Sequence, residues 1–443
     1  MTGWVIGFCS SVLADQVFFL SLTWAALQVG PASQVGLVLA AGSIPRLLIL
    51  LVGGAVADRA SPKRIIVATD GGRALVMAVA AALLMLGNLN SLQLIVVALA
   101  IGALDGLFLP AMGSLPARIA PAYMMGRLAA LRTVTQRAAM LVGGPLAGWV
   151  IYLYGASAAF WVSAGLFGIS VAALSLVTVL NPATSPGART MEAEPGLDPA
   201  KNVEAAGRPA PTRALPRLDV WTGIRVTSRS FLTDVTSGLQ EVRRHPVLPW
   251  LLLLIAGMNL GFAGPVTAGL PLLASVEQWG ARGAGLLLGG FGLGATATGL
   301  GLVFVRWLPK AGVVALCSVL VMGIALTSVT VVPTFAAAML STIVLGLASG
   351  VFGTVVHAMI LTSTPDAELG RVMALLSLSI EGVVPISFAG TGVLTALLGA
   401  RATFAIGGAI IVVTTLVACT RRPLRSFQLL RTVKGAAPAS PPG

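Results

Sequence analysis

Long apolar runs separated by short polar stretches make up most of this chain. A helix needs about 20 apolar residues to cross the hydrocarbon core of a bilayer. By that measure the pattern predicts an all-α integral membrane protein with twelve transmembrane helices. We place six spans at residues 3–27, 34–57, 65–87, 92–117, 128–152 and 157–180, and six more at residues 247–274, 284–305, 311–332, 335–361, 372–397 and 402–420.

Composition agrees with a membrane protein and argues against a soluble one. Hydrophobic residues make up 56% of the chain and charged residues 10%, and the mean hydropathy is +0.94. Soluble chains carry about 25% charged residues. The net charge of +13 would suit nucleic acid, but the basic residues lie in short loops, in the middle of the chain and in the tail. We therefore expect contact with anionic lipid and no nucleic-acid partner.

The loop charges predict which side of the membrane each loop faces. Residues 29–33 and 87–91 carry no charge, whereas the alternate loops carry basic residues. Under the positive-inside rule the basic loops are cytoplasmic, so both termini are cytoplasmic and the protein crosses the inner (plasma) membrane many times. Arg282 and Arg401 are exceptions on the outer side. The basic residues on the inner side include Arg118, Arg127, Arg306, Lys310, Arg371, Arg421, Arg422 and Arg425.

The middle of the chain separates two halves. Residues from 181 to about 227 are rich in Pro, Ala and Gly and poor in large apolar side chains, which predicts a disordered segment. Apolar residues then recur at helical spacing over residues 231–242, which indicates an amphipathic helix on the membrane surface. We therefore divide the chain into a bundle at 1–180, a cytoplasmic linker at 181–246, a bundle at 247–420 and a basic tail at 421–443.

The two bundles carry the same signal before the fifth and eleventh spans. Pro121 is followed by Gly126-Arg127, and Pro365 is followed by Gly370-Arg371 at the same spacing. Proline cannot continue the preceding helix, so each motif marks the entry to a new one. A parallel internal repeat of this kind predicts two pseudo-symmetric six-helix bundles.

Charged residues inside the apolar runs are candidate functional residues. A charge near the bilayer centre costs at least about 2.5–3.5 kcal/mol, so such groups face a protein interior or a wet cavity. Because burial favours the neutral form of a carboxylate, Asp15, Asp105 and Glu381 are candidates for proton coupling. Arg46 and Arg137 are candidate cavity residues or charge partners.

A structural role for these charges is the alternative. Asp105 would then pair with Arg137 and hold helices together. Glu381 falls opposite Arg137 in the repeat, either as a direct pair or as a cavity wall of opposite sign. We place Arg73 and His357 nearer the span ends, where Arg73 would pair with Asp70 three residues earlier.

A short polar loop follows the second span and precedes the third. It contains Gly54, Asp58 and Arg59, followed by Lys63 and Arg64. The basic residues are enough to fix the topology of the loop, whereas Asp58 is not needed for it. The spacing Gly-x-x-x-Asp-Arg with a basic cluster resembles the loop between helices two and three of major facilitator superfamily transporters. The resemblance implies the major facilitator fold and a conformational-switch role for this loop.

The fifth span contains Gly144-Pro145-x-x-Gly148, which permits close helix packing and a bend. The stretch is similar to the Gly-Pro-x-x-Gly motif of antiporters in the same superfamily, although Met140 and Trp149 replace further glycines of that motif. The segment Ala103–Phe108 and Arg137 resemble the branch of siderophore (enterobactin) exporters and macrolide-efflux proteins. This resemblance implies export of a bulky, partly apolar small molecule.

The function predicted is proton-coupled efflux by alternating access, with a small-molecule substrate, protons and lipid as partners. An importer on the same fold and a non-transporting membrane receptor or scaffold are alternatives. No nucleotide-binding loop is present in the sequence, and no metal or nucleophile constellation indicates an enzyme. We expect no cofactor and no metal, and we expect a monomer.

The topology can be tested by cysteine accessibility. A cysteine at Asn90 should react with a membrane-impermeant thiol reagent from outside the cell, and one at Gly207 only from inside, because an odd number of spans separates them. Reaction of both from one side would contradict the predicted topology.

Overall fold

The structure is a computed structural model, and it describes residues 2–59, 61–87, 90–120, 122–177, 245–303, 310–331, 334–364 and 369–428. All regular structure within these ranges is helical. Most of the predicted linker, its amphipathic helix and the end of the basic tail lie outside the described residues.

The first half contains five long helical runs. Spans one to four are Thr2–Val29, Ala32–Arg59, Pro62–Met85 and Ser91–Ser114, and spans five and six share the run Met125–Ser175. This run is 51 residues long and breaks at Gly155, where φ is +84°. Glycine adopts such a backbone conformation without steric cost, so the chain turns there. Pro116–Ile119 and Ala122–Met124 form short turns before span five.

The second half repeats this arrangement. Span seven runs from Leu248 to Gly264, passes through a π-helical turn at Pro265–Gly269 and ends with Leu270–Val276. Spans eight to ten are Gly280–Val303, Ala311–Ser328 and Phe335–Ser363. Span eleven begins with Leu369–Glu381 and continues into Val384–Cys419, which breaks at Gly399 and then forms span twelve. A last turn follows at Arg422–Arg425.

Ten helical runs within the described residues are long and apolar enough to cross a membrane. The two longest each contain a positive-φ glycine, so this count is consistent with the twelve spans predicted from the sequence. Gly155 and Gly399 are 244 residues apart, as are Gly126 and Gly370 in the first turns of their helices. The internal repeat is therefore present in the backbone as well as in the sequence.

The two halves touch where glycine lets backbones approach. A β-carbon at Gly148 would come within 3.0 Å of the Cα atom of Gly285, and one at Gly392 within 2.7 Å of the Cα atom of Gly36. Gly148 and Gly392 are again 244 residues apart, so the repeat supplies one glycine of each contact. They join span five to span eight and span two to span eleven, on the side of the bundle away from both described ends of the chain.

A cation–π contact adds to the closure between spans five and eight. The Arg282 guanidinium lies 4.3 Å from the centre of the Trp149 ring, and Trp149 stands edge-on to Tyr152. Arg401, the other basic residue predicted on that side, pairs with Glu277 at 2.8 Å. Arg282 and Arg401, the two exceptions to the loop-charge pattern, therefore each have a partner side chain nearby.

The outer surface of the bundle is apolar. Many large side chains point away from the core, which in water would be a very large exposed patch. Among them are Leu75, Leu92, Tyr152, Leu176, Leu340 and Leu397, each more than half exposed. Lipid acyl chains are the natural partner of such a surface.

Replacing Gly285 by Val should separate spans five and eight, because the added side chain would meet the backbone of Gly144 and Gly148. Spin labels at Tyr154 and Val276, both exposed at that end of the bundle, should then show longer distances by electron paramagnetic resonance. Gly299→Val is the matched control, since a β-carbon there meets nothing within 4 Å. Equal distance distributions in all three proteins would contradict the glycine contact.

Candidate functional site

A central cavity of about 410 Å³ lies between the two halves. Its wall is mostly apolar and includes five phenylalanines, with a few polar groups between them. The charged residues that line it are Arg46, Asp105 and Glu381. The aromatic residues are Phe18, Phe19, Phe262, Phe291 and Phe388, and the uncharged polar residues are Gln16, Ser43, Asn259 and Thr267.

Beside this cavity, three carboxylates surround one guanidinium. Arg73 of span three is 1% exposed, and its Nη2 lies 2.5 Å from Asp105 Oδ1 of span four. Its Nη1 lies 3.1 Å from Asp70 Oδ1 and 3.8 Å from Asp15 Oδ1 of span one. The rings of Phe108 and Phe167 also lie against the guanidinium, at 4.2 Å and 5.5 Å. We call Asp15, Asp70, Arg73 and Asp105 the Arg73 cluster.

The three acids of the Arg73 cluster differ in how well they are hydrogen-bonded. Asp70 is fully buried and accepts bonds from Ser11 at 3.2 Å, from Ser170 at 2.6 Å and from Arg73. Asp15 Oδ1 accepts no hydrogen bond from any described residue, and this side chain is 24% exposed. Asp105 is 10% exposed and lines the cavity. Asp70 is therefore held in place by three donors, whereas the side chains of Asp15 and Asp105 remain partly open to solvent.

A second ion pair crosses the cavity from one half to the other. Arg46 Nη2 of span two donates to Glu381 Oε1 of span eleven at 3.1 Å. Glu381 is the last residue of Leu369–Glu381, and the helix resumes only at Val384. Among described residues, Arg46 Nε is buried without a hydrogen-bond partner. The pair thus joins the halves at an interruption of span eleven.

These contacts correct the pairs considered from the sequence. The cation that pairs with Asp105 is Arg73 and not Arg137, and Glu381 pairs with Arg46 and not with Arg137. Within the described part of the chain, Arg137 forms no ion pair, and its carbonyl accepts a 3.3 Å hydrogen bond from Thr296 of span eight. The Asp70–Arg73 pair expected from their spacing is present.

The placement of Arg73 near a span end was wrong. Arg73 lies at the middle of Pro62–Met85, where one guanidinium can reach acids from spans one, three and four. The sequence signal for this cluster was the pair Asp70-x-x-Arg73 inside an apolar run. Two charges at that depth need neighbours of opposite sign. His357, by contrast, is exposed.

The structure describes the predicted switch loop between spans two and three only in part. Gly54, Asp58 and Arg59 lie in the last turns of Ala32–Arg59, but their side chains lie outside what the structure describes, and the switch role of the loop stays a prediction. Lys63 donates to the carbonyls of Ser175 and Val177, both at 2.6 Å, and so ties the start of span three to the end of span six.

The remaining residues of the loop and of the fifth span also have defined places. Arg64 is exposed. Gly144, Pro145 and Gly148 all face span eight, where β-carbons at Gly144 and Gly148 would meet Gly285. Pro145 lies within the helical run, next to Gly289. The motif therefore lies at the contact between the two halves.

Comparison with known proteins agrees with this architecture. The family model of the Major Facilitator Superfamily matches residues 4–312, and the chain belongs to this family. It is a membrane transporter of the major facilitator type. No curated protein matches the sequence.

Several solved transporters share the fold at low sequence identity. The nucleoside transporter NupG is 13% identical, with a TM-score of 0.65 over 95% of this chain and 98% of that one. A POT family transporter in complex with 5-aminolevulinic acid is 12% identical, with a TM-score of 0.65 over 95% and 96%. A D-xylose-proton symporter is 15% identical, with a TM-score of 0.64 over 96% and 97%. At these identities the similarity establishes the fold and leaves the substrate open.

Replacing Arg73 by Gln should destabilise the protein by about 3–5 kcal/mol, because three carboxylates, of which Asp70 and Asp105 are buried, lose their common cation. Thermal unfolding of the purified protein in detergent measures the loss. Arg137→Gln is the matched control, since within the described residues Arg137 has no ion pair to lose, and it should unfold close to wild type. Equal losses from both variants would contradict a central role for Arg73.

Proposed function

We propose that this transporter exports a bulky, partly apolar small molecule in exchange for protons, by alternating access. The observation that carries the proposal is the Arg73 cluster: three acids share one guanidinium beside a cavity that both halves line. Ionising all three acids would leave uncompensated negative charge in a low-dielectric interior, which favours proton binding. Protons from the outside then supply the driving force.

Asp15 and Asp105 are the residues we propose as proton carriers. Asp70 is engaged by two serines and Arg73, so it serves to position the guanidinium. A proton on Asp105 weakens its attraction to Arg73, and the helices that carry them, spans three and four, become free to shift. Glu381 is a further candidate, since a proton there weakens the pair with Arg46 that joins the two halves.

The glycine contacts between spans five and eight and between spans two and eleven form one gate of the proposed cycle. In the structure that side is closed by close backbone contact. Alternating access then consists of opening these contacts while the opposite side of the cavity closes. We propose that the protein works as a monomer in the inner membrane with both termini in the cytoplasm.

An importer on the same fold is the second candidate. Met140 and Trp149 replace glycines of the antiporter motif, and Trp149 holds Arg282 across the halves, which favours a gate unlike that of antiporters. Uptake with a proton, instead of exchange for one, would reverse the expected response to a pH gradient. Transport in proteoliposomes with an imposed pH gradient, run against siderophores and antibiotics, separates the two.

Asp15→Asn and Asp105→Asn should each abolish accumulation driven by a pH gradient, whereas exchange of saturating substrate down its own gradient should persist. Asparagine has the shape and polarity of the protonated acid but cannot release a proton. Transport assays in proteoliposomes measure both activities. Glu277→Gln is the control, because that acid pairs with the exposed Arg401 away from the cavity, and it should pump normally. If both Asn variants also pump normally, Glu381 becomes the coupling candidate.

A further inference from the structure

The charges around the cavity do not balance. The Arg73 cluster has three acids and one cation, so full ionisation leaves an excess of two negative charges. Among the described residues, serine hydroxyls donate to Asp70 and to neither of the other two acids. The excess therefore falls on Asp15 and Asp105, the latter at the cavity wall.

Neighbouring cations do not remove this excess. Arg46 faces the cavity but holds Glu381. Arg132 of span five lies over the Phe8 ring at 5.9 Å, and Arg137 lies farther along the same span. Span six contributes Ser163 and Ser170 to the packing against spans one and three, and its residues 157–177 carry no charge. Within the described residues, Arg73 is the one cation in ion contact with Asp15 and Asp105.

The cavity wall also favours a positive guest. Five phenylalanines line it, and Phe262 and Phe291 form a tilted pair with ring centres 5.5 Å apart. The face of an aromatic ring attracts cations and also packs against apolar groups. A ligand with a positive centre inside an apolar shell would match both the negative charge of the Arg73 cluster and the aromatic wall.

The same charges disfavour an anionic ligand in the cavity. Arg46 is the single cation among the residues that line the described cavity. An anion bound to it would displace Glu381 and leave that acid without its partner. The excess of negative charge would then rise in the same small volume.

We propose that the cavity binds organic cations with an apolar or aromatic body, and that their charge replaces a proton on the Arg73 cluster. The inference rests on the proposed function and names the substrate class for it. Proton and cation compete for the same negative charge, so each lowers the affinity of the site for the other by the same factor. Such competition is the condition for exchanging one for the other across the membrane.

Two probes of the same shape and opposite charge test this proposal. Tetraphenylphosphonium and tetraphenylborate each carry four phenyl groups around one charged centre. With purified full-length protein in nanodiscs, calorimetry should detect binding of the phosphonium ion, with a Kd that falls as pH rises and with proton release. Tighter binding of the borate, or binding of neither probe, overturns the proposal.

Variants assign the binding to the cavity. Asp105→Asn should weaken phosphonium binding at least about tenfold and flatten its pH dependence, while Glu277→Gln leaves both unchanged. Phe262→Ala tests the wall independently, and should weaken phosphonium binding even if Asp105→Asn fails to fold. Wild-type affinity in both cavity variants would refute the site. Because binding is measured without a gradient, a protein that binds the phosphonium ion but does not pump disproves the proposed function alone.

Discussion

The Arg73 guanidinium is the interaction on which the first half of this protein depends. It gathers acids from spans one, three and four, and Ser170 adds span six through Asp70. Four helices are thereby tied together at one buried point. A pair of this kind is stable only when each charge is compensated, so removing the cation affects every helix that contributes an acid.

The cluster also makes the two halves unequal, although their backbones repeat. The repeat places Glu381 opposite Arg137, and Gly148 and Gly392 at equivalent contacts. Within the described residues, however, the buried ion cluster lies in the first half, and the second half contributes Glu381 to the cavity. The first half thus supplies the proton chemistry that we propose, and the second supplies much of the aromatic wall.

Spans two and eleven carry both a backbone contact that closes one side of the cavity and an ion pair inside it. These two helices touch by backbone at Gly36 and Gly392, and by an ion pair at Arg46 and Glu381. The first contact is fixed by the absence of side chains, whereas the second changes with protonation or with a bound ion. Since both lie on the same pair of helices, a change of charge in the cavity would act directly on the gate that we propose. The interruption after Glu381 gives span eleven a place to bend.

The sequence by itself determined the class of protein and the internal repeat, because long apolar runs that carry buried charges have few solutions in a bilayer. It also singled out Asp15, Asp105, Glu381 and Arg46 as candidates, since a charge inside an apolar run needs a partner or a wet cavity. Only the tertiary structure decided which charges meet. Partner choice depends on helix rotation and on the depth at which each residue lies, and local spacing reports only pairs on one helix, such as Asp70 and Arg73. Asp105 therefore pairs with Arg73, and Glu381 with Arg46, because those helix faces point at one another.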